Sequence, residues 1–112
     1  MTPPAVTLPA AFLPDLRARL DALYGARLVR VVLFGSYARG EATPESDVDV
    51  LVVLRGETDT YAEAWPLSEI VYDLIGGYGR VASFVAISEA DFDDAEWPLL
   101  SNVRRDGLEL TA

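Results

Sequence analysis

The feature that most constrains this chain is the run Val50-Leu51-Val52-Val53-Leu54, which follows Asp47-Val48-Asp49 without a turn residue between them. Side chains of a strand alternate between two faces, so an unbroken apolar run needs cover on both sides. A second run, Arg27 to Phe34 (Arg-Leu-Val-Arg-Val-Val-Leu-Phe), has the same β-branched character. Two such strands demand a central sheet with helices packed on it, an α/β or α+β domain on a small sheet. The chain has 112 residues, of which 51% are hydrophobic, enough for one packed core.

The remaining elements follow from periodicity and punctuation. Phe12, Leu13, Leu16, Leu20 and Leu23 recur at helical spacing, predicting a helix from about Ala10 to Tyr24 that closes at Gly25. Thr60 with Glu63 reads as a capping box. The helix it opens is interrupted at Pro66, resumes over Leu67 to Ile75, and ends at Gly76, Gly77 and Gly79. Arg80 to Ile87 is a third strand, Ser88 with Asp91 opens a short helix, and Pro98 to Asp106 is a last helix capped by Gly107. Leu108 to Leu110 reads as a short edge strand, which with the aromatics could support a homodimer. Residues 1–9, with three prolines, are expected to be a flexible segment ahead of a single domain over 10–112. Trp65, Trp97, Tyr61, Tyr72 and Tyr78 are expected to pack in or beside the core, with a partner surface as the alternative.

Composition narrows the chemistry. There is no Cys and no His, which removes thiol catalysis, Cys or His metal sites and any His general base. Nine basic against 18 acidic residues give a net charge of −9, a poor surface for direct nucleic-acid binding. No apolar run approaches a membrane span, and Met1-Thr2-Pro3-Pro4 does not resemble a signal peptide, so a cytoplasmic location is expected.

One segment carries what chemistry remains. Asp47 and Asp49 stand two apart, on one face of the second strand. Side-by-side carboxylates repel unless a cation lies between them, and Mg²⁺ favours one or two carboxylates plus substrate phosphates. Gly35-Ser36 follows the first strand, where glycine permits close backbone approach and free N–H groups suit a phosphate. Arg39, three residues further on, could reach the same anion.

Gly35-Ser36, ten residues, then Asp47-Val48-Asp49 resembles the signature of the DNA polymerase β superfamily of nucleotidyltransferases. The longer string Phe-Gly-Ser-Tyr-Ala-Arg-Gly with Ser-Asp-Val-Asp-Val-Leu-Val is similar to its smallest branch, the minimal nucleotidyltransferases (MNT). The resemblance implies a polymerase β-like fold, a small mixed β-sheet flanked by helices that pack mainly on one face. It implies that Gly35 and Ser36, with Arg39, hold the phosphates of ATP or another nucleoside triphosphate, while Asp47 and Asp49 bind one or two Mg²⁺ and carry catalysis. The resemblance also implies a third carboxylate on a later strand, as active members usually carry; here Ser83 falls at that position, and a hydroxyl cannot replace it as metal ligand or base. Glu89 and Asp91 lie past the strand end, and Asp73 on the preceding helix reads as solvated.

Minimal nucleotidyltransferases are often paired with a helical HEPN toxin, which some of them adenylylate. Two expectations therefore stand side by side: transfer of AMP from Mg-ATP to a hydroxyl of a HEPN-type partner, or a catalytically weak or inactive nucleotidyltransferase-fold antitoxin that neutralises the partner by binding. An acidic protein suits a basic, RNA-binding partner. Transfer to a small molecule such as an aminoglycoside is disfavoured, because this sequence has no helical acceptor domain.

Overall fold

The computed structural model describes residues 5–94 and 96–111. Four strands, β1 (Leu28–Phe34), β2 (Val48–Leu54), β3 (Ala82–Ser88) and β4 (Leu108–Glu109), form one mixed sheet in the order β3-β2-β1-β4. β1 runs antiparallel to β2 and β4, and β2 runs parallel to β3. The helices are α1 (Phe12–Tyr24), α2 (Thr60–Tyr78), α3 (Glu89–Phe92) and α4 (Pro98–Asp106).

β2 is central, and its alternation divides the interior in two. Val48, Val50, Val52 and Leu54 face α1 and α2, joining Phe12, Leu16, Leu20, Leu67, Ile70 and Leu74. Leu51 and Val53 face the other way and meet Leu100 and Val103 of α4. The two-sided burial read from the apolar run is thus met by helices on both faces, two on one and α4 on the other.

Several local features differ from the sequence expectations. The cap of α2 is Asp59, not Thr60: the Asp59 carboxylate accepts from the N–H groups of Tyr61 and Ala62. Thr60 instead donates its hydroxyl to Ala86 O at 2.7 Å, tying the helix start to β3. Pro66 does not interrupt the helix. It withholds one N–H, a penalty of about 3 kcal/mol, which the buried contacts of Leu67, Ile70 and Leu74 on the sheet offset. Gly76 and Gly77 continue the helix; Gly79, at φ 67°, ends it, its N–H bonding Ile75 O at 2.8 Å.

The aromatics divide. Tyr78 packs edge-to-face on Phe12 with ring centroids 5.3 Å apart. Tyr61, Trp65 and Tyr72 are 92, 83 and 73% exposed, so the packing expected of them does not occur. At 100° per residue they fall on the side of α2 opposite Leu67, Ile70 and Leu74. Residues 1–4 of the expected flexible segment lie outside the described residues. Within residues 5–9 the chain is anchored: Val6 N–H donates to Ala42 O at 2.9 Å, and Leu8 packs against the core. No helix among the described residues is long and apolar enough to cross a membrane.

Leu51 is fully buried at the centre of β2. Leu51→Ala is expected to lower the unfolding free energy by about 2–5 kcal/mol, measurable by urea denaturation, whereas Tyr72→Ala on the exposed side of α2 should leave it within about 0.5 kcal/mol.

Candidate functional site

The strand pairings build the site. β1–β2 pairing sets Phe34 opposite Asp49, and β2–β3 pairing sets Ser83 opposite Asp49. Residues in register share a face, so Ser83 is the direct neighbour of Asp49. Asp49 is half-buried and lies on the α4 side of the sheet with Leu51 and Val53. Asp47 stands one residue before β2 and is exposed. It is set by a tight turn, in which Ser46 N–H donates to Thr43 O at 3.0 Å and Thr43 N–H donates to Ser46 Oγ at 2.9 Å.

Gly35 packs against Asp49. Its φ is +76°, a region that side chains disfavour, and a Cβ at this position would collide with Asp49 Oδ2. The chain then winds through one helical turn, with Arg39 N–H donating to Gly35 O at 3.2 Å and Glu41 N–H to Ser36 O at 2.9 Å. Ser36 therefore starts a turn that rests on the carboxylate. Arg39 is also brought here, but its Nε is held by Glu41 Oε2 at 3.1 Å.

Partial burial first, and the nearby Asp47 carboxylate second, push the Asp49 carboxyl above its usual range; the positive charge of Arg39 opposes them. This is the signature of a carboxylate pair short of positive charge. Two hard oxygen donors beside a backbone turn suit Mg²⁺, which keeps open positions for phosphate oxygens. No group of three or more His, Cys, Asp or Glu that could hold a metal occurs among the described residues. Asp73 is not merely solvated: it accepts from Arg19 at 2.9 Å. Glu89 and Asp91 follow the far end of β3, about 16–20 Å along the strand from Ser83.

The raised Asp49 pKa fixes the sign of its effect on stability. Its folded value lies above its unfolded value, so ionisation favours the unfolded chain. Stability is lost as pH rises from about the unfolded value of 3.8 through the folded pKa, and stays lost above it. Asp49→Asn should therefore melt higher than the native chain at neutral pH, with the difference shrinking towards acid pH in a thermal scan. Gly35→Ala should destabilise the chain by about 1–2 kcal/mol from its backbone alone and displace the Asp49 carboxylate.

Comparisons with known proteins bear on the family and the fold. A family model described as a nucleotidyltransferase domain matches residues 13–106. A Methanocaldococcus jannaschii protein classed provisionally as a protein adenylyltransferase is 35% identical over 92 residues, covering 81% of this chain and 86% of that protein. A chain from a toxin–antitoxin crystal structure with AMP-PNP superposes with a TM-score of 0.62 at 23% identity, over 88% of this chain and 72% of that one. A chain of the complex between tri-AMPylated Shewanella oneidensis HEPN toxin and MNT antitoxin gives a TM-score of 0.52 at 20% identity, over 89% and 72%. At those identities the solved structures establish the shared fold, while the family match and the archaeal relative establish descent: this chain belongs to the nucleotidyltransferase domain family.

Proposed function

We propose that this chain is a minimal nucleotidyltransferase that moves AMP from ATP to a hydroxyl of a partner protein, a helical HEPN toxin that it neutralises in the cytoplasm. The observation that carries the reading is the packing of Gly35, where the Gly35-Ser36 turn begins, against Asp49, two residues from Asp47. The adenylyltransferase description of the archaeal relative and the toxin–antitoxin complexes among the fold neighbours support it.

Asp47 and Asp49 would hold one or two Mg²⁺. Bound there, Mg²⁺ supplies positive charge to the triphosphate as pyrophosphate departs. Gly35 and Ser36 receive the β- and γ-phosphates through backbone N–H groups and the Ser36 hydroxyl. Arg39 reinforces them once its Glu41 contact is exchanged for phosphate. The acceptor oxygen bonds to the α-phosphorus as the bond to pyrophosphate breaks, and the acceptor proton leaves to solvent or to a group on the partner. Ser83 cannot take that proton at neutral pH, which gives a slow enzyme.

Ser83 beside Asp49 also favours a second reading, an inactive subunit that acts by complex formation. Intact mass of a HEPN partner incubated with this protein, Mg²⁺ and ATP separates the two. Transfer predicts added AMP units that disappear with Asp47→Ala or Asp49→Ala; a stable complex without added mass supports the binding reading. Under the transfer reading Ser83→Asp should raise the rate about 100-fold, the lower end for a positioned acid–base group.

A further inference from the structure

The strand order β3-β2-β1-β4 leaves two edges, and they are not alike. β4 is two residues long and carries Glu109, a short charged edge of the kind that discourages further pairing. β3 is seven residues long, Ala-Ser-Phe-Val-Ala-Ile-Ser, with no charge and no proline. Val48 N–H donates to Val81 O at 2.8 Å, so Val81 turns its carbonyl towards β2. In a parallel ladder alternate residues do the same. Ser83, Val85 and Ile87 therefore bond β2, while Ala82, Phe84 and Ala86 present N–H and C=O outward. The far half of this edge is partly closed, because Thr60 donates its hydroxyl to Ala86 O. Among the described residues nothing bonds the outward groups of Ala82 and Phe84. The open stretch is level with Ser83 and Asp49.

Both sides of that stretch can receive side chains. A strand added outside β3 would alternate its side chains as β3 does. The residue opposite Phe84 would face a mostly apolar groove of about 260 Å³, between Phe84 and Ala64, Ser68, Val71 and Tyr72 of α2. The next residue, opposite Ser83, would lie on the Asp49 face. Strands lie about 4.8 Å apart, so the added backbone would run about 10 Å from that of β2, within reach of one long side chain. The small Ser83 side chain leaves that path open. Tyr72, exposed on α2, borders the same groove.

Charge selects the occupant. Asp47 and Asp49 stand at the start of the edge, while Glu57, Asp59 and Asp91 gather around Ser88 at its far end, about 16 Å along the strand from Ser83. A second copy of this chain suits the edge poorly. Antiparallel pairing of two β3 strands would bring the far-end acids of one towards the aspartates of the other. An extended segment with basic residues at the Ser88 end meets the acids favourably. We propose that the outer edge of β3 is the docking site for the acceptor segment of the partner protein. An extended stretch of the partner adds as a further strand beside Ala82 and Phe84, and its basic end meets Glu57, Asp59 and Asp91. One apolar side chain fills the Phe84 groove, and the neighbouring hydroxyl-bearing residue crosses Ser83 towards Asp47 and Asp49. This assignment rests on the partner-protein reading of the aspartate pair and adds how the acceptor is held.

The test is amide hydrogen exchange of the full chain, alone and with the HEPN partner, beside calorimetric affinity. The partner should slow exchange at the N–H groups of Ala82 and Phe84. Ala82→Pro removes one outward donor at the first residue of an edge strand, a position where proline is tolerated. It should weaken the partner at least about fivefold, the loss of one hydrogen bond. Should Ala82→Pro fail to fold, Ser68→Arg fills the groove from the surface of α2 and should weaken the partner as much. Glu57→Lys should also weaken it and make the affinity less dependent on salt. A complex with unchanged exchange at Ala82 and Phe84, or with affinity unmoved by Ser68→Arg, places the partner elsewhere and overturns the proposal; AMP still transferred in that complex leaves the transferase reading standing. Exchange at these amides that slows in the chain alone, as its own concentration rises, assigns the edge to a second copy and overturns it as well. A chain that forms no complex with the partner removes the partner reading and the proposal together, a result told apart by the missing heat of binding.

Discussion

The site depends on one close approach, the backbone of Gly35 against the carboxylate of Asp49. Everything around it serves that contact. The β1–β2 register brings Phe34 level with Asp49, so the next residue must turn over the acid. Only glycine satisfies both the positive φ and the missing Cβ at that point. The central strand is held in place by helices on its two faces, so the aspartates at its leading end are fixed by the core behind them.

The arrangement stores an electrostatic imbalance. Asp49 is partly buried beside a second carboxylate, and Arg39, which opposes the effect, is shared with Glu41. The unliganded chain thus gives up stability at the place where a bound cation would return it. Carboxylate pairs that hold metals share this character, and it links the instability of Asp49 to its proposed role.

Much of this was legible in the sequence. The buried strands, the α4 boundaries and the Ser88 cap follow from patterns only a few residues long. The aspartate pair and the Gly35-Ser36 turn were visible because chemistry fixes both residue type and spacing. The Ser83 position was readable because parallel strands in register preserve the order of their side chains. Around α2 the sequence misled. Asp59 outcompeted Thr60 as cap because Thr60 found Ala86 O on a strand distant in sequence. Pro66 and the Gly76-Gly77 pair were overruled by burial of one helix face, and Tyr61, Trp65 and Tyr72 point outward because their positions on the helix, not their hydrophobicity, decide where they lie. Arg80 carried no sequence signal; only the fold shows its buried Nε without an acceptor among the described residues.

The most direct test of the central claim is a crystal structure of the chain with Mg²⁺ and a non-hydrolysable ATP analogue. The account predicts a metal ion bridging Asp47 and Asp49, with phosphate oxygens on the backbone of Gly35 and Ser36. A nucleotide bound elsewhere on the sheet, or metal held away from these two carboxylates, would contradict it.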